Sequence, residues 1–519
     1  MPEKAFSVCI KDSVFIDPCC GGGAFLVRAM TDAMDDCDTE EEREKVKKNQ
    51  IFGIEYEEGA FGLSSTNMLI HGDGNSNVVQ DSMFKRTKWI EENNINIVLM
   101  NPPYNATKKC CDPSYTKKWN STKKDDPSKG LHFVEWVARH VPSTCKIAVL
   151  LPMQAAIGNK GDTKVFKKKM LDKYTLDAVF SLPEDMFYPG ASVVACCMIF
   201  DLSQKHEKAN RDTFFGYYKK DYFVKRKGLG RVEKTDSNGN SLWTQVEENW
   251  INLYKNRREV PGMSVMHRVT WEDEWLAEAY MTKDWTELQK RDFEKTINLY
   301  FSYIIRKGCI KEPDKVWMND YIESLHTDYT VETEKIMNFS LNISEWKSFQ
   351  IGKMFKIYPT KDYKGMSNTD LDDGGTTPVI ANSAMNNGIN GFSTLEPTEQ
   401  GGIITFSDTT EGNTFFYQPE PFIGFAHVQG MHEYGNHHWT EKQLLFLTTI
   451  LTFANCDLFN YGRKMRRDTI ANSIIKLPAQ KVGNDYVFDE EKMYSEDGYI
   501  PDWEWMESYI RSLPYSDRT

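Results

Sequence analysis

The sequence predicts an α/β domain followed by a β-rich, α+β domain, and three observations carry that expectation. Apolar runs of strand length alternate with helical patterns over roughly the first two hundred residues. The first of those runs opens directly into a glycine-rich turn and then a helix. From residue 346 onward Gly, Thr, Asn and aromatic residues take over, in short runs broken by turns.

The strand-like runs of the first part are 14–17, 51–55, 95–100, 146–151, 178–182 and 193–201, and helical patterns lie between them at 24–30, 59–70, 132–140 and 163–171. Strand–helix alternation implies a mostly parallel sheet, because parallel neighbours need a crossover connection and a helix is the usual one. Residues 205–280 are charged, aromatic-rich and without clear period, with a turn at Asp236-Ser237-Asn238-Gly239-Asn240. Residues 285–307 read as one amphipathic helix, with Leu288, Phe293, Ile297, Tyr300 and Ile304 on a common face. The β-rich part closes with a helix over 441–455 and a strand over 473–477. The expected division is therefore 1–210, a connecting extension over 211–340, and 341–519.

A chain of 519 residues with 40% hydrophobic and 13% aromatic residues can bury more than one core. It has no apolar run of about 18 residues, so no membrane span is expected. The first residues have neither the basic flank nor the apolar stretch of a secretory signal. The 11 cysteines are scattered, with adjacent pairs at Cys19-Cys20, Cys110-Cys111 and Cys196-Cys197 and no CxxC spacing. Reduced thiols in a cytoplasmic protein are the expectation, with no metal site. The net charge of −12 disfavours nucleic acid as a partner, but charge is unevenly placed. Base gathers at 108–129, 160–173, 219–231 and 463–467, and acid at 35–44 and in the last forty residues.

Three features carry chemistry weakly and one strongly. Asp17-Pro18-Cys19-Cys20-Gly21-Gly22-Gly23-Ala24-Phe25 follows a strand and opens a helix. Such a turn fits a nucleotide-like ligand, a phosphate, or nothing beyond a tight bend. Glu55 ends the next apolar run, where an acid can accept both hydroxyls of a ribose or simply face solvent. Asp73, in His71-Gly72-Asp73-Gly74, is either a contact to an adenine amino group or an ordinary turn residue. The strong feature is Asn101-Pro102-Pro103-Tyr104, directly after the run 95–100. An exocyclic amine is a poor nucleophile because its lone pair is delocalised into the ring. An amide oxygen on Asn101 and the carbonyl of Pro102 can each accept one of its N–H bonds and draw the nitrogen toward tetrahedral geometry. Consecutive prolines hold that carbonyl rigidly, and Tyr104 offers a ring on which a flipped base can stack.

Those residues, with Gly53 to Asn75, Lys146 to Ile157 and Leu176 to Leu202, resemble the modification subunits of type I restriction–modification systems and related adenine-N6 DNA methyltransferases. The resemblance implies a Rossmann-like domain dependent on S-adenosylmethionine (AdoMet). Asp17, Pro18, Gly21, Gly23, Phe25, Glu55 and Asp73 would line the cofactor, and Asn101, Pro102, Pro103 and Tyr104 would hold the target adenine. Phe187 falls where a second aromatic would pack on that base, or it is a core residue. Asn rather than Ser at the head of the motif favours adenine over cytosine. In that family a helical domain and a further AdoMet-contacting segment precede the glycine-rich motif, where only 16 residues do here, so the expectation is either a truncated reading frame or a partner chain that supplies the missing part, with a restriction nuclease subunit as the other candidate partner. The stretch beginning Trp346-Lys347-Ser348-Phe349 resembles the opening of type I target-recognition domains, and its close over 444–478 resembles their ending. Double-stranded DNA is then the expected partner, with Lys108, Lys109, Arg463 and Arg466 as candidate contacts. The rival expectations are methylation of RNA or of a protein glutamine, and a DNA-binding subunit with a degenerate catalytic half. The four histidines within 427–438 are expected to serve recognition or loop structure.

Overall fold

The structure is a computed structural model of the chain, and it describes residues 10–73, 77–119, 122–218, 221–311, 341–409, 412, 414–460, 462–514 and 516. It divides into two compact units, Met1–Lys283 and Asp284–Thr519.

The first unit is built on β1 (Phe15–Asp17), β2 (Ile51–Glu55), β3 (Asn77–Gln80), β4 (Ile97–Met100), β5 (Lys146–Pro152), β6 (Thr175–Ser181), β7 (Ala195–Asp201), β8 (Thr213–Tyr217), a hairpin of β9 (Phe223–Arg226) and β10 (Gly230–Glu233), and β11 (Ser264–His267). Nine of these form one sheet in the order β11-β8-β6-β7-β5-β4-β1-β2-β3. The strands from β3 to β5 are parallel, as expected. β7, however, is antiparallel to both β5 and β6, so the sheet is mixed. The reason lies in the β6–β7 connection, which contains no helix and so cannot make a parallel crossover.

Central strands are buried on both faces, which is why they read as unbroken apolar runs. Successive side chains enter opposite cores: Ile16, Val98 and Met100 pack with Leu131, Val134 and Val137 of helix Leu131–Ala138. Phe15, Ile97 and Leu99 pack with Leu26, Ala29 and Met30 of helix Ala24–Asp35.

The division expected at 210 falls inside this unit. β8 pairs with β6, β11 pairs with β8, and Phe214 and Phe215 are fully buried. Helix Leu242–Lys255 closes that end through buried Trp250, Leu253 and Tyr254. Gly216 makes the closure possible, since a Cβ there would lie 2.6 Å from Phe180 Cδ1 and 2.9 Å from Trp250 Cζ3. Buried Asp177 ties the same region down with ion pairs to Arg211 at 2.7 Å and Arg257 at 2.5 Å.

The second unit begins with a 3-10 turn, Trp285–Glu287, and helix Lys290–Lys311, rather than one helix from 285. Leu288, Phe293, Ile297 and Tyr300 are buried as the pattern requires. Ten strands follow: β12 (Lys347–Gln350), β13 (Phe355–Pro359), β14 (Thr377–Ile380), β15 (Ile389–Ser393), β16 (Ile403–Ser407), β17 (Phe416–Gln418), β18 (Val428–Glu433), β19 (Ile474–Leu477), β20 (Lys481–Val482) and β21 (Asp485–Tyr486). They form the four-stranded sheet β13-β18-β16-β17 and three two-stranded pairs. Helix Glu441–Asn455, opened by a capping box on Thr440, is buried along almost its whole length. The terminal helix Trp503–Arg511 adds Met506, Tyr509 and Ile510 to this core, although the acidic end of the chain gave no sign of it.

Candidate active site

The carboxyl ends of β1, β2, β3, β4 and β5 lie along one edge of the sheet, and successive connections diverge between β1 and β4. In open α/β sheets such a switch point outside the strand ends is where ligands bind. Asp17 ends β1, and Asn101 follows β4.

On the β1 side, Asp17 is 2% exposed and accepts the N–H of Cys19 at 3.0 Å. Burial, with the negative charge of Glu55 nearby, pushes its carboxyl up to about 8. The chain then turns through Gly21 at φ 52° and Gly23 at φ 81°, conformations that favour glycine, and Gly23 caps helix Ala24–Asp35. Glu55 holds the turn to β2: one carboxylate oxygen accepts the Gly21 N–H at 2.8 Å and the other the Glu57 N–H at 2.8 Å. Each oxygen keeps a second lone pair for a ligand hydroxyl. Pro18 is buried and Phe25 half-buried.

Several contributors to this turn went unrecognised in the sequence. The Asn67 side chain donates to the Gly22 carbonyl at 2.7 Å. Ser64 lies against Gly23, where a Cβ would be 3.2 Å away. Gly53 admits Leu26 beneath the turn, where a Cβ would clash at 2.6 Å.

Asp73 is not part of this edge. It is buried at the amino-terminal end of β3, with its N–H donated to the Met68 carbonyl at 2.9 Å. Because β3 runs parallel to β2, the acid on the same edge as Glu55 is Asp81, one residue after the end of β3. The Asp81 N–H donates to the Glu55 carbonyl at 2.9 Å, and its carboxylate pairs with Arg86 at 2.8 Å. Met83, just beyond, brings its sulfur to 3.8 Å from Cys19 Sγ, so this loop adjoins the glycine turn.

On the β4 side, Asn101 is half-buried, Pro102 buried and Pro103 exposed. Tyr104 is half-buried, its hydroxyl buried without a hydrogen-bond partner among the described residues. Burial holds that phenol well above its ordinary range. Its ring meets Phe187, from the β6–β7 connection, edge-on with centroids 6.1 Å apart and planes at 72°. Behind the motif, buried Asp126 accepts the N–H groups of Ser128 at 2.8 Å and Gly130 at 2.9 Å and the Tyr115 hydroxyl at 2.9 Å. Lys108 and Lys109 are exposed on a 3-10 turn four to six residues beyond Tyr104.

In the second unit Arg466 is exposed, but Arg463 is not a surface cation. It is 7% exposed, donates to the Leu458 carbonyl at 3.0 Å and stacks its guanidinium 4.8 Å over Phe459. The histidines of 427–438 face different partners: His427 pairs with Asp408 at 3.0 Å, His438 with Glu433 at 2.7 Å, and His437 lies on Trp503. Among the described residues no group of three or more His, Cys, Asp or Glu could hold a metal, and no helix is long and apolar enough to cross a membrane.

The site residues fit AdoMet by the chemistry of their donor set. A cation with a ribose suits two carboxylates, Asp17 and Glu55, at neighbouring strand ends around a turn whose glycines leave the backbone open.

Residues 8–307 match the family model described as N-6 DNA methylase, and residues 343–486 match the type I restriction modification DNA specificity domain. The chain is 29% identical over 294 residues to the type II restriction enzyme and methyltransferase RM.BcgI of Heyndrickxia coagulans, covering 56% of this chain and 43% of that protein. It is 25% identical over 192 residues to the type I restriction enzyme EcoEI methylase subunit of Escherichia coli, covering 36% of this chain and 38% of that one. The chain thus spans less than half the length of these two relatives. Among solved structures, the type I restriction-modification system methyltransferase subunit of Streptococcus thermophilus aligns with a TM-score of 0.38 at 21% identity, over 52% of this chain and 53% of that one. The N-6 DNA methylase match takes in the whole edge from Asp17 to Phe187 and more than half of the chain. This protein belongs to the N-6 DNA methylase family.

Proposed function

We propose that this chain transfers a methyl group from AdoMet to N6 of adenine in duplex DNA, at a sequence read by its own C-terminal unit, within a restriction–modification system. The observation that carries the reading is the position of Asn101-Pro102-Pro103-Tyr104 at the end of β4, across the switch point from the turn of Asp17, Gly21 and Gly23. The family to which the chain belongs supports adenine in DNA over RNA or a protein side chain.

AdoMet would supply an electrophilic methyl group on a positively charged sulfur. Asp17 would hold its cationic end, Glu55 its ribose, and Asp81 rather than Asp73 its adenine ring. Pro18 and Phe25 would wall the turn. On the substrate side, the Asn101 amide oxygen and the Pro102 carbonyl accept the two N6 protons of a flipped adenine. That pair takes the nitrogen out of conjugation and points its lone pair at the methyl group. Tyr104 stacks on the base, and Phe187 braces Tyr104 edge-on. Positioning supplies most of the acceleration, since no group must be ionised to make the nucleophile. After transfer the N6 nitrogen is positive and loses one of its two protons to water. Lys108, Lys109 and Arg466 would contact phosphates.

The test is transfer of labelled methyl from AdoMet to plasmid DNA by the full chain, compared with Asn101→Ala. Adenine labelling that Asn101→Ala abolishes supports the reading. Labelling that survives the substitution removes Asn101 from the chemistry, and labelling on cytosine overturns the choice of base.

A further inference from the structure

The basic run 219–231 takes no part in the site as described above, yet the structure builds most of it into a defined hairpin beside that site. β9 and β10 pair antiparallel with Gly230 opposite Arg226. The turn is closed by the Leu229 N–H donating to the Arg226 carbonyl at 3.1 Å, with Gly228 at φ 78° and Gly230 at φ 79°. Glycines at both positions make the tip narrow and leave one large apolar side chain on it, Leu229, which is 76% exposed. Arg226 and Lys227 beside it are exposed and make no ion pair among the described residues.

A single exposed leucine means little. Its setting here is unusual because the hairpin is fastened to the loop that carries Phe187. Arg231 pairs with Asp185 at 3.1 Å and with Asp221 at 2.8 Å, and Lys225 reaches Asp185 at 3.9 Å. The Lys225 ammonium lies 5.6 Å over the Tyr188 ring, and Gly230 lies against Pro189 and the Tyr188 carbonyl. Asp185, Phe187, Tyr188 and Pro189 are one short stretch of chain, and its Phe187 touches Tyr104. The tip is therefore held in fixed relation to the ring on which the target base would stack.

We propose that this hairpin is a DNA-contacting finger, with Arg226 and Lys227 on phosphates and Leu229 as an apolar wedge entering the base stack where the target adenine leaves it. The inference rests on the methyltransferase reading above. Extruding a base costs stacking and pairing, and an inserted apolar side chain returns part of the lost contact. The flanking cations match the charge of the backbone on either side of the opened step.

The experiment uses the full chain and two duplexes carrying a site first mapped on plasmid DNA methylated by the native protein. One duplex is fully paired, and in the other the target adenine faces an abasic position. Leu229→Ala is expected to slow methylation of the paired duplex by about tenfold or more while staying within about threefold of the native rate on the duplex with the unpaired adenine, because that substrate needs no wedge. AdoMet binding, followed by calorimetry, is expected to be unchanged and reports on folding. Equal activity of Leu229→Ala and native protein on the paired duplex overturns the wedge. An equal loss on both duplexes also overturns it, in favour of a structural role. If the native protein methylates no DNA, the underlying reading fails and the finger falls with it.

Discussion

Gly130 lies flat against Pro102: a Cβ on residue 130 would stand 3.2 Å from Pro102 Cγ and 2.7 Å from Leu151 Cδ2. Gly130 also sits at φ 91° and donates its N–H to buried Asp126 at 2.9 Å. Three constraints thus meet at the residue that backs the Pro102 ring. Gly130→Ala adds backbone strain of about 1–3 kcal/mol and pushes on the proline ring. The expected outcome is a lowered melting temperature and a methylation rate reduced by about tenfold or more, with AdoMet affinity little changed. Calorimetric binding beside single-turnover methylation checks it, and an unchanged rate would show that Pro102 does not depend on this contact.

Asp81 and Asp73 are separated by the length of β3, and the prediction separates them too. Asp81→Ala removes the acid beside Glu55 and is expected to weaken AdoMet binding by about tenfold, the loss of one good hydrogen bond to a ligand. Asp73→Ala is expected to lower thermal stability while leaving AdoMet affinity within about twofold. The reverse pattern in equilibrium binding would restore Asp73 to the site.

The strand ends around the site show what the sequence discloses and what it hides. Asn101 and Asp17 were legible because β4 and β1 are buried on both faces and end sharply in proline or glycine. Asp81 was not, because β3 is four residues long and only Val78 of it is buried, so no apolar run marks the strand that places it. β8 escaped for a similar reason: Phe214 and Phe215 are a two-residue apolar signal among charges, and their burial depends on rings arriving from elsewhere in the chain, Phe180 and Tyr254 against Phe214 and Tyr280 against Phe215. Antiparallel β7 could not be told from a parallel strand by composition, since both kinds are equally buried here. Arg463 looked like its exposed neighbours until Phe459 and the Leu458 carbonyl folded over it.

Tyr104 carries a hydroxyl that is buried yet has no hydrogen-bond partner among the described residues. Stacking requires the ring and not the oxygen. Tyr104→Phe is therefore expected to keep methylation within about threefold of native and to leave stability equal or higher by up to about 1 kcal/mol. Tyr104→Ala loses the stacking surface, worth about 1–3 kcal/mol, so its rate is expected to fall by about tenfold to a hundredfold. Steady-state methylation and thermal unfolding of both variants check this. A Phe variant as impaired as the Ala variant would assign the hydroxyl a direct part in holding the substrate.

Asp17 is expected to make AdoMet affinity depend on pH. Its carboxyl is held at about 8, so at neutral pH it is mostly protonated before a cation arrives. A cationic ligand favours the carboxylate, so binding expels a proton, and affinity rises with pH up to about 8 and flattens above. The ligand's own amine titrates in the same region, so the informative quantity is the difference between native protein and Asp17→Asn. The native protein is expected to gain up to about tenfold in affinity per pH unit between 6 and 8 relative to the variant. Calorimetry in two buffers of different ionisation enthalpy reads the released proton directly. Parallel pH profiles for the two proteins would mean that Asp17 is already ionised.

Arg463 and Arg466 stand three residues apart and are expected to fail in different ways. Arg466 is exposed, and if it meets a phosphate, Arg466→Ala lowers the slope of log affinity against log salt by about 1 without changing thermal stability. Arg463 is committed to Phe459 and the Leu458 carbonyl, so Arg463→Ala leaves a buried acceptor without its donor and strips a cation from an aromatic face. A loss of about 1–3 kcal/mol in stability follows. DNA binding by Arg463→Ala, measured well below its melting temperature, should keep the native salt slope. A reduced slope in that variant, with stability intact, would return Arg463 to the DNA surface.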